Sequence, residues 1–341
     1  MIVFGFTACL SGHVSFEDDL DVRVDLAATE SDRLHTPYVR GAAFDITARR
    51  DGVVDLSDWQ LVSSNELVLD VVDLRAGEDS LTASVEAIGE GEARIELLGA
   101  SGDLVDARVL EVAFPESVSL RHENALRLGV ESDDEFALAW DGQGRYLATY
   151  IDDQGRELSG HGVLSAGDLA PLLEVDVDDF AWGEDRDWVT LTSGWYEGAA
   201  DVELYVDGEL ADELYVEVVG PADVEEIEVI TSDEGAATEG QDLLAWTLGF
   251  TMDGREVHGV DATWDAGGLA LRVGDTVEYV FDPTEPTDLV AHFGESEDRA
   301  LIHGSEFPGA RPPGGCSATG LGATGALAFL GLLVLRRQRR G

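Results

Sequence analysis

Apolar and polar residues alternate along most of this chain. "ARIELLGASGDLVDARVLEVAF" (93–114), "DVELYVDGELADELYVEVV" (201–219) and "LALRVGDTVEYVF" (269–281) all run at a period of two. Each is interrupted where Gly-Asp or Asp-Gly supplies a turn. Strand side chains point to opposite faces in succession, so this pattern predicts strands with one buried and one wet face. Outside the C-terminal tail no stretch carries a helical period. Many short strands divided by turns predict an all-β protein built of antiparallel sandwiches.

One phrase recurs. "DQGRELSG" (153–160) and "DGREVHG" (253–259) place Gly155 and Gly254 in equivalent positions, 99 residues apart. A looser version, "RDGVVDLSDWQLVSSN" (50–65), puts Gly52 a further 103 residues back. A spacing near 100 residues is the length of one immunoglobulin-like sandwich. Prolines between strand-like runs, in "AFPESVSL" at Pro115 and "VVGPADVEEIEV" at Pro221, mark the divisions. The predicted order is a leader over 1–16, three sandwiches over 17–115, 116–220 and 221–306, a Pro/Gly linker over 307–316 and a terminal helix over 317–341.

The first unit carries a more specific pattern. "LSDWQLVSSNELVLDV" followed by "VEAIGEGEARIEL" resembles the bacterial group 2 Ig-like domain. The match rests on Ser63, Ser64 and Asn65, then Val85, Ala87, Gly91, Ala93 and Ile95. Val62 stands at the family's tryptophan position, with Trp59 three residues upstream; in the third unit "VDATW" restores the pattern with Trp264. The resemblance implies that alternate residues face an inter-sheet core.

Composition bears on where such a chain works. Its formal charge is −49, and all of its 21 basic residues are arginine. That excess excludes nucleic acid and anionic lipid as partners of the main body. A hydrophobic content of 44% argues for packed cores rather than disorder, so the acid excess reads as a solvated surface. The two cysteines, Cys9 and Cys316, build neither a disulfide framework nor a CxxC metal site.

Both cysteines lie in segments that read as targeting signals. Ser317–Leu335 is a run of nineteen uncharged residues followed by an arginine cluster, about 28 Å as a helix and close to a bilayer's hydrocarbon thickness. The Gly-Cys-Ser lead-in, short apolar helix and terminal arginines resemble the MYXO-CTERM sorting tail of myxobacterial-type surface proteins. That resemblance implies that Cys316 is the processing and attachment point and that a membrane protease removes the helix. "MIVFGFTACLSG" resembles the end of a secretion signal, with Cys9 where a lipoprotein signal carries its lipidated residue. It lacks a basic n-region and has Phe6 where leucine is usual.

Candidate chemistry is sparse. No nucleophile elbow, phosphate-binding glycine loop or HExxH helix is present. The histidines (His13, His35, His122, His161, His258, His292, His303) show no ligand spacing, and His161 and His258 read as exposed loop residues. The acidic stretch "EVDVDDFAWGEDRDW" offers Asp176, Asp178, Asp179, Asp185 and Asp187 as calcium ligands, without EF-hand spacing. The stretch reads first as a solvated strand edge, charged against aggregation, with calcium ligation as the alternative. Trp188, Trp195 and Tyr196 read as packing residues, with a carbohydrate-binding face as the alternative. The chain is therefore expected to be an exported, surface-anchored Ig-like protein with a structural, adhesive or stalk role and no catalysis or cofactor. A carbohydrate- or calcium-binding module is the alternative. Expected partners are the membrane through the terminal helix, lipid at Cys9 or Cys316, a sorting protease, and a surface protein or polysaccharide.

Overall fold

The computed structural model describes residues 14–20, 34–50, 56–77, 79–131, 135–167, 172–178, 187–232, 236–237, 242–280 and 286–304. Cys9, Cys316, His13, Asp179, Asp185 and the terminal helix lie outside these residues. Among the described residues no helix is long and apolar enough to cross a membrane.

The first eight strands are β1 (Val14–Asp18), β2 (Tyr38–Val39), β3 (Ala43–Arg50), β4 (Gln60–Ser63), β5 (Leu69–Ala76), β6 (Ser80–Ala87), β7 (Gly91–Leu98) and β8 (Leu104–Ala113). They form two four-stranded sheets, β1-β3-β6-β5 and β2-β8-β7-β4. With β1 and β2 taken as the split first strand, these are the ABED and CFG sheets of an immunoglobulin-type sandwich. Alternation sets the core: Leu81, Ala83, Val85 and Ala87 of β6 are buried, as are Ala93, Ile95 and Leu97 of β7. Ser63, Ser64 and Asn65 turn the chain out of β4. There Ser64 Oγ accepts from the backbone N–H of Arg94 at 2.8 Å, tying the turn to β7.

The next strands repeat this plan. They are β9 (Ser117–His122), β10 (Phe136–Ala139), β11 (Gln143–Ile151), β12 (Glu157–Leu158), β13 (Leu164–Ala166), β14 (Leu173–Asp178), β15 (Trp188–Ser193), β16 (Gly198–Val206) and β17 (Glu209–Val219). One sheet runs β12-β11-β15-β14 with β9 beside β11, and the other contains β13-β16-β17-β10. The β16–β17 hairpin turns at Asp207 and Gly208, both with positive φ (50° and 77°). Two such residues in succession match the twist of the flanking strands.

A short helix, α1 (Glu123–Leu128), follows β9. Its N-cap is His122, whose Nδ1 accepts from the N–H of Asn124, and Gly129 closes it in the left-handed conformation (φ 69°). Six residues are under two turns, too few to print a helical period on the sequence.

The remaining strands are β18 (Val224–Thr231), β19 (Ala236–Ala237), β20 (Asp242–Thr251), β21 (Glu256–His258), β22 (Ala262–Ala266), β23 (Leu269–Gly274), β24 (Thr276–Val280), β25 (Thr287–Phe293) and β26 (Ser296–Gly304). Strands β19-β26-β25-β22-β23 form one sheet, while β18, β21 and β24 pair with β20. Trp264 is fully buried here, and its indole N–H donates to the carbonyl of Gly274 at 2.8 Å.

These groups of strands do not hang as separate beads. Strand β10 lies parallel to β17 on one side and to β21 on the other, so one eight-stranded sheet runs through the second and third groups. Between the first and second, Tyr38 forms a parallel bridge to Ser159. One continuous apolar core there includes Tyr38, Val39 and Ala42 with Leu158, Val163 and Leu164.

Candidate functional site

The acidic stretch splits. Asp176 and Asp178 lie on one face of β14, opposite Thr190 and Trp188 of β15. Asp176 is exposed and Asp178 half-buried. Arg145 of β11 stacks its guanidinium 4.4 Å from the Trp188 ring centroid and places Nη2 3.9 Å from the Asp178 carboxylate. The same arginine lies 3.7 Å from Glu123.

Asp187, by contrast, is an internal tie. It is only 1% exposed. Its carboxylate accepts a short hydrogen bond from the Tyr150 hydroxyl and another, at 2.7 Å, from the N–H of Gly162. Burial pushes its carboxyl upward, and these donors oppose the shift. A carboxylate so occupied is spent on holding the loop before β13 against β11 and β15. Among the described residues, no three His, Cys, Asp or Glu side chains come together as a metal-holding group.

The aromatics also divide. Trp188 is buried, as a packing residue should be. Trp195 and Tyr196 are not packing residues: they are 67% and 69% exposed in the loop between β15 and β16. Adjacent Glu197 and Gly198 line a groove with Met252 and Arg255 of the third group of strands. The two side chains therefore bury little of their apolar surface within the described structure.

The largest departure from expectation is His258. It is fully buried rather than an exposed loop residue. Its ring centroid lies 4.6 Å from that of His122, 136 residues earlier in the chain. His122 in turn stacks on Trp246 at 4.7 Å, and Phe136 stacks on both Tyr146 and His258. Nε2 of His258 is 3.2 Å from a Glu256 carboxylate oxygen, and Nδ1 is 2.9 Å from the Tyr146 hydroxyl. A neutral imidazole protonated on Nε2 satisfies both contacts. Burial pushes His258 down to about 3 and, with His258 beside it, also holds His122 well below the ordinary imidazole range. Two groups of strands supply this cluster, so it is the glue of a junction. Beside it a polar cleft of about 510 Å³ opens, lined by Asp141, Asp178, Asp261 and Asp275 together with Arg127 and Arg145.

No family model and no curated protein sequence matches this chain. Solved structures do. Domains 4–9 of the surface layer protein SbsC align over 86% of this chain at 14% identity and a TM-score of 0.33. This chain spans only 48% of that fragment. The Escherichia coli adhesin FdeC aligns over 86% of this chain and 97% of its own at 13% identity and a TM-score of 0.25. Invasin, a bacterial integrin-binding protein, aligns over 85% of this chain and 59% of its own at 10% identity and a TM-score of 0.24. At these scores the likeness carries neither a role nor a partner across to this chain.

Proposed function

We propose that this protein is a non-catalytic, exported surface component whose Ig-type sandwiches form a stalk, anchored through the C-terminal segment at Cys316. The observation that supports the reading is the junction architecture. Consecutive sandwiches share sheet hydrogen bonds and buried side chains, which suits a spacer that must hold its far end away from its base. A densely acidic, lysine-free exterior suits an exposed position in an ionic medium. The test is protease shaving of intact cells, with Cys316→Ser and a 312–341 deletion compared against the unaltered chain. The reading expects a protease-accessible, cell-bound protein that both changes release into the medium. A protein protected until lysis defeats it.

A second reading, a carbohydrate-binding module, draws on the exposed Trp195–Tyr196 pair. Glycan-array binding abolished by Trp195→Ala would favour it over a pure spacer.

A further inference from the structure

We infer that the recurring Gly-Arg phrase is a docking element, and that Arg156–Glu111 and Arg255–Glu217 fix the angle between each sandwich and the one before it. These contacts belong to the folded chain itself and hold wherever the protein resides.

The two copies match bond for bond within their own turns. Asp152 N–H donates to the Arg156 carbonyl, and Thr251 N–H to the Arg255 carbonyl, each at 3.0 Å. Gly155 and Gly254 take φ of 76° and 81°. The Arg156 N–H donates to the Asp152 side chain, and the Arg255 N–H to the Thr251 hydroxyl. A duplicated fold would reproduce that much without any further role.

Bonds that leave the turn are another matter, because they end on a different sandwich. Arg156 donates from Nη1 and Nη2 to the two oxygens of Glu111 in β8, at 2.8 and 2.7 Å. Arg255 donates from Nη1 to Glu217 in β17. Glu111 and Glu217 hold the same place: each immediately precedes the residue (Val112, Val218) paired with the first residue of the neighbouring strand (Gly91, Gly198). Three residues past each arginine the chain meets the preceding sandwich's second strand. Ser159 brackets Tyr38, with Val39 N–H donating to the Ser159 carbonyl and Ser159 N–H to the Pro37 carbonyl, both at 2.9 Å. His258 pairs with Leu138 in parallel register. Next comes a glycine pressed against the neighbour. A Cβ on Gly160 would stand 2.5 Å from Ala42 Cβ, and one on Gly259 would stand 2.7 Å from the Gln143 nitrogen.

The pairing is also confined to where it has a partner. The first sandwich has Val53 after its equivalent Gly52. In the third, Thr287 of β25 pairs with Ile302, which puts Leu301 in the glutamate's place. Among the described residues the arginine of this phrase and its partner glutamate therefore occur together at the two places where sandwiches meet. A half-exposed ion pair adds little stability. A guanidinium–carboxylate pair that spans two rigid bodies adds orientation, and a bidentate one such as Arg156–Glu111 most of all.

The experiment uses the full chain with Cys9→Ser and Cys316→Ser and spin labels at exposed positions. Leu67→Cys with Glu174→Cys spans the first junction, and Glu174→Cys with Val273→Cys the second. Pulsed dipolar spectroscopy should give one narrow distance distribution for each pair. Arg156→Glu or Glu111→Arg should widen the first distribution about twofold, and Arg255→Glu or Glu217→Arg the second, with each double reversal restoring the width. If the single reversals leave the widths unchanged, the pairs do not set the angle. If the reversed pairs fail to restore them, the single changes acted through the turn, and the inference also fails.

Discussion

The Tyr146 hydroxyl lies 2.9 Å from Nδ1 of His258, joining a strand of one sandwich to the docking strand of the next. Neither polar group is available to solvent, for both residues are fully buried. This contact and the His122–His258 approach make the second junction dependent on neutral imidazole.

The pH dependence follows with a definite sign. Burial pushes His258 down to about 3, and His122 is also held low, whereas both rings titrate near 6.5 in the unfolded chain. The unfolded state therefore binds more protons as pH falls below 6.5. Stability contributed by neutral histidine is complete above that value and declines toward pH 3, by at most about 1.4 kcal/mol per pH unit for each ring. Asp187, Glu228, Asp261 and Asp275, all pushed upward by burial, act in the opposite direction as they protonate at the acid end of the window. Urea midpoints should thus fall between pH 7 and 5, while the NMR signal of the His258 ring stays constant. A His258 resonance titrating near its ordinary value would sink this account.

Gly160→Ala and Gly162→Ala separate two costs. Gly162 has φ of 74° with open space around it, whereas Gly160 (φ 140°) faces Ala42 and Val39 at 2.5 and 2.7 Å. Replacing Gly162 should cost about 1 kcal/mol in backbone strain. Replacing Gly160 should cost about 1–3 kcal/mol more, because backbone at a packed junction must move. Equal losses in chemical denaturation would show that the close approach is not a constraint.

Divalent cations should behave as counterions at the acidic stretch. Asp187 is committed to Tyr150 and Gly162, and Asp178 faces Arg145. Calcium and magnesium should therefore shift the melting temperature equally and without saturation, and 1 M NaCl should suppress the shift as the Debye length drops to about 3 Å. One calorimetric site selective for Ca²⁺, removed by Asp176→Asn/Asp178→Asn, would contradict this.

What the sequence discloses is the local part of this fold. Alternation in "DVELYVDGELADELYVEVV" and its Asp-Gly turn is enough to place β16, β17 and the hairpin between them. Long-range packing is what escapes. Asp187 looks like one more surface carboxylate until Tyr150, 37 residues away, closes on it. Likewise, nothing near His258 announces that Phe136, Tyr146 and His122 will enclose it, because a loop that docks on a neighbour is as polar as one that does not. Trp195 and Tyr196 err in the other direction: their ring size suggests packing, yet the loop after β15 carries them outward. The repeated phrase was visible as a period near 100 residues, but its reason lies in bonds to a different sandwich.

Each sandwich also holds one particular pair of strands side by side. Its short second strand runs parallel to its last one: β2 beside β8, β10 beside β17, β19 beside β26. Parallel neighbours put the incoming end of one strand and the outgoing end of the other at opposite ends of the ladder they share. Tension along the chain would then drag the two strands lengthwise past each other, so that every bond of the short ladder strains together instead of opening in turn like a zipper. The polypeptide is threaded so that a pull meets shear first, and only then peeling.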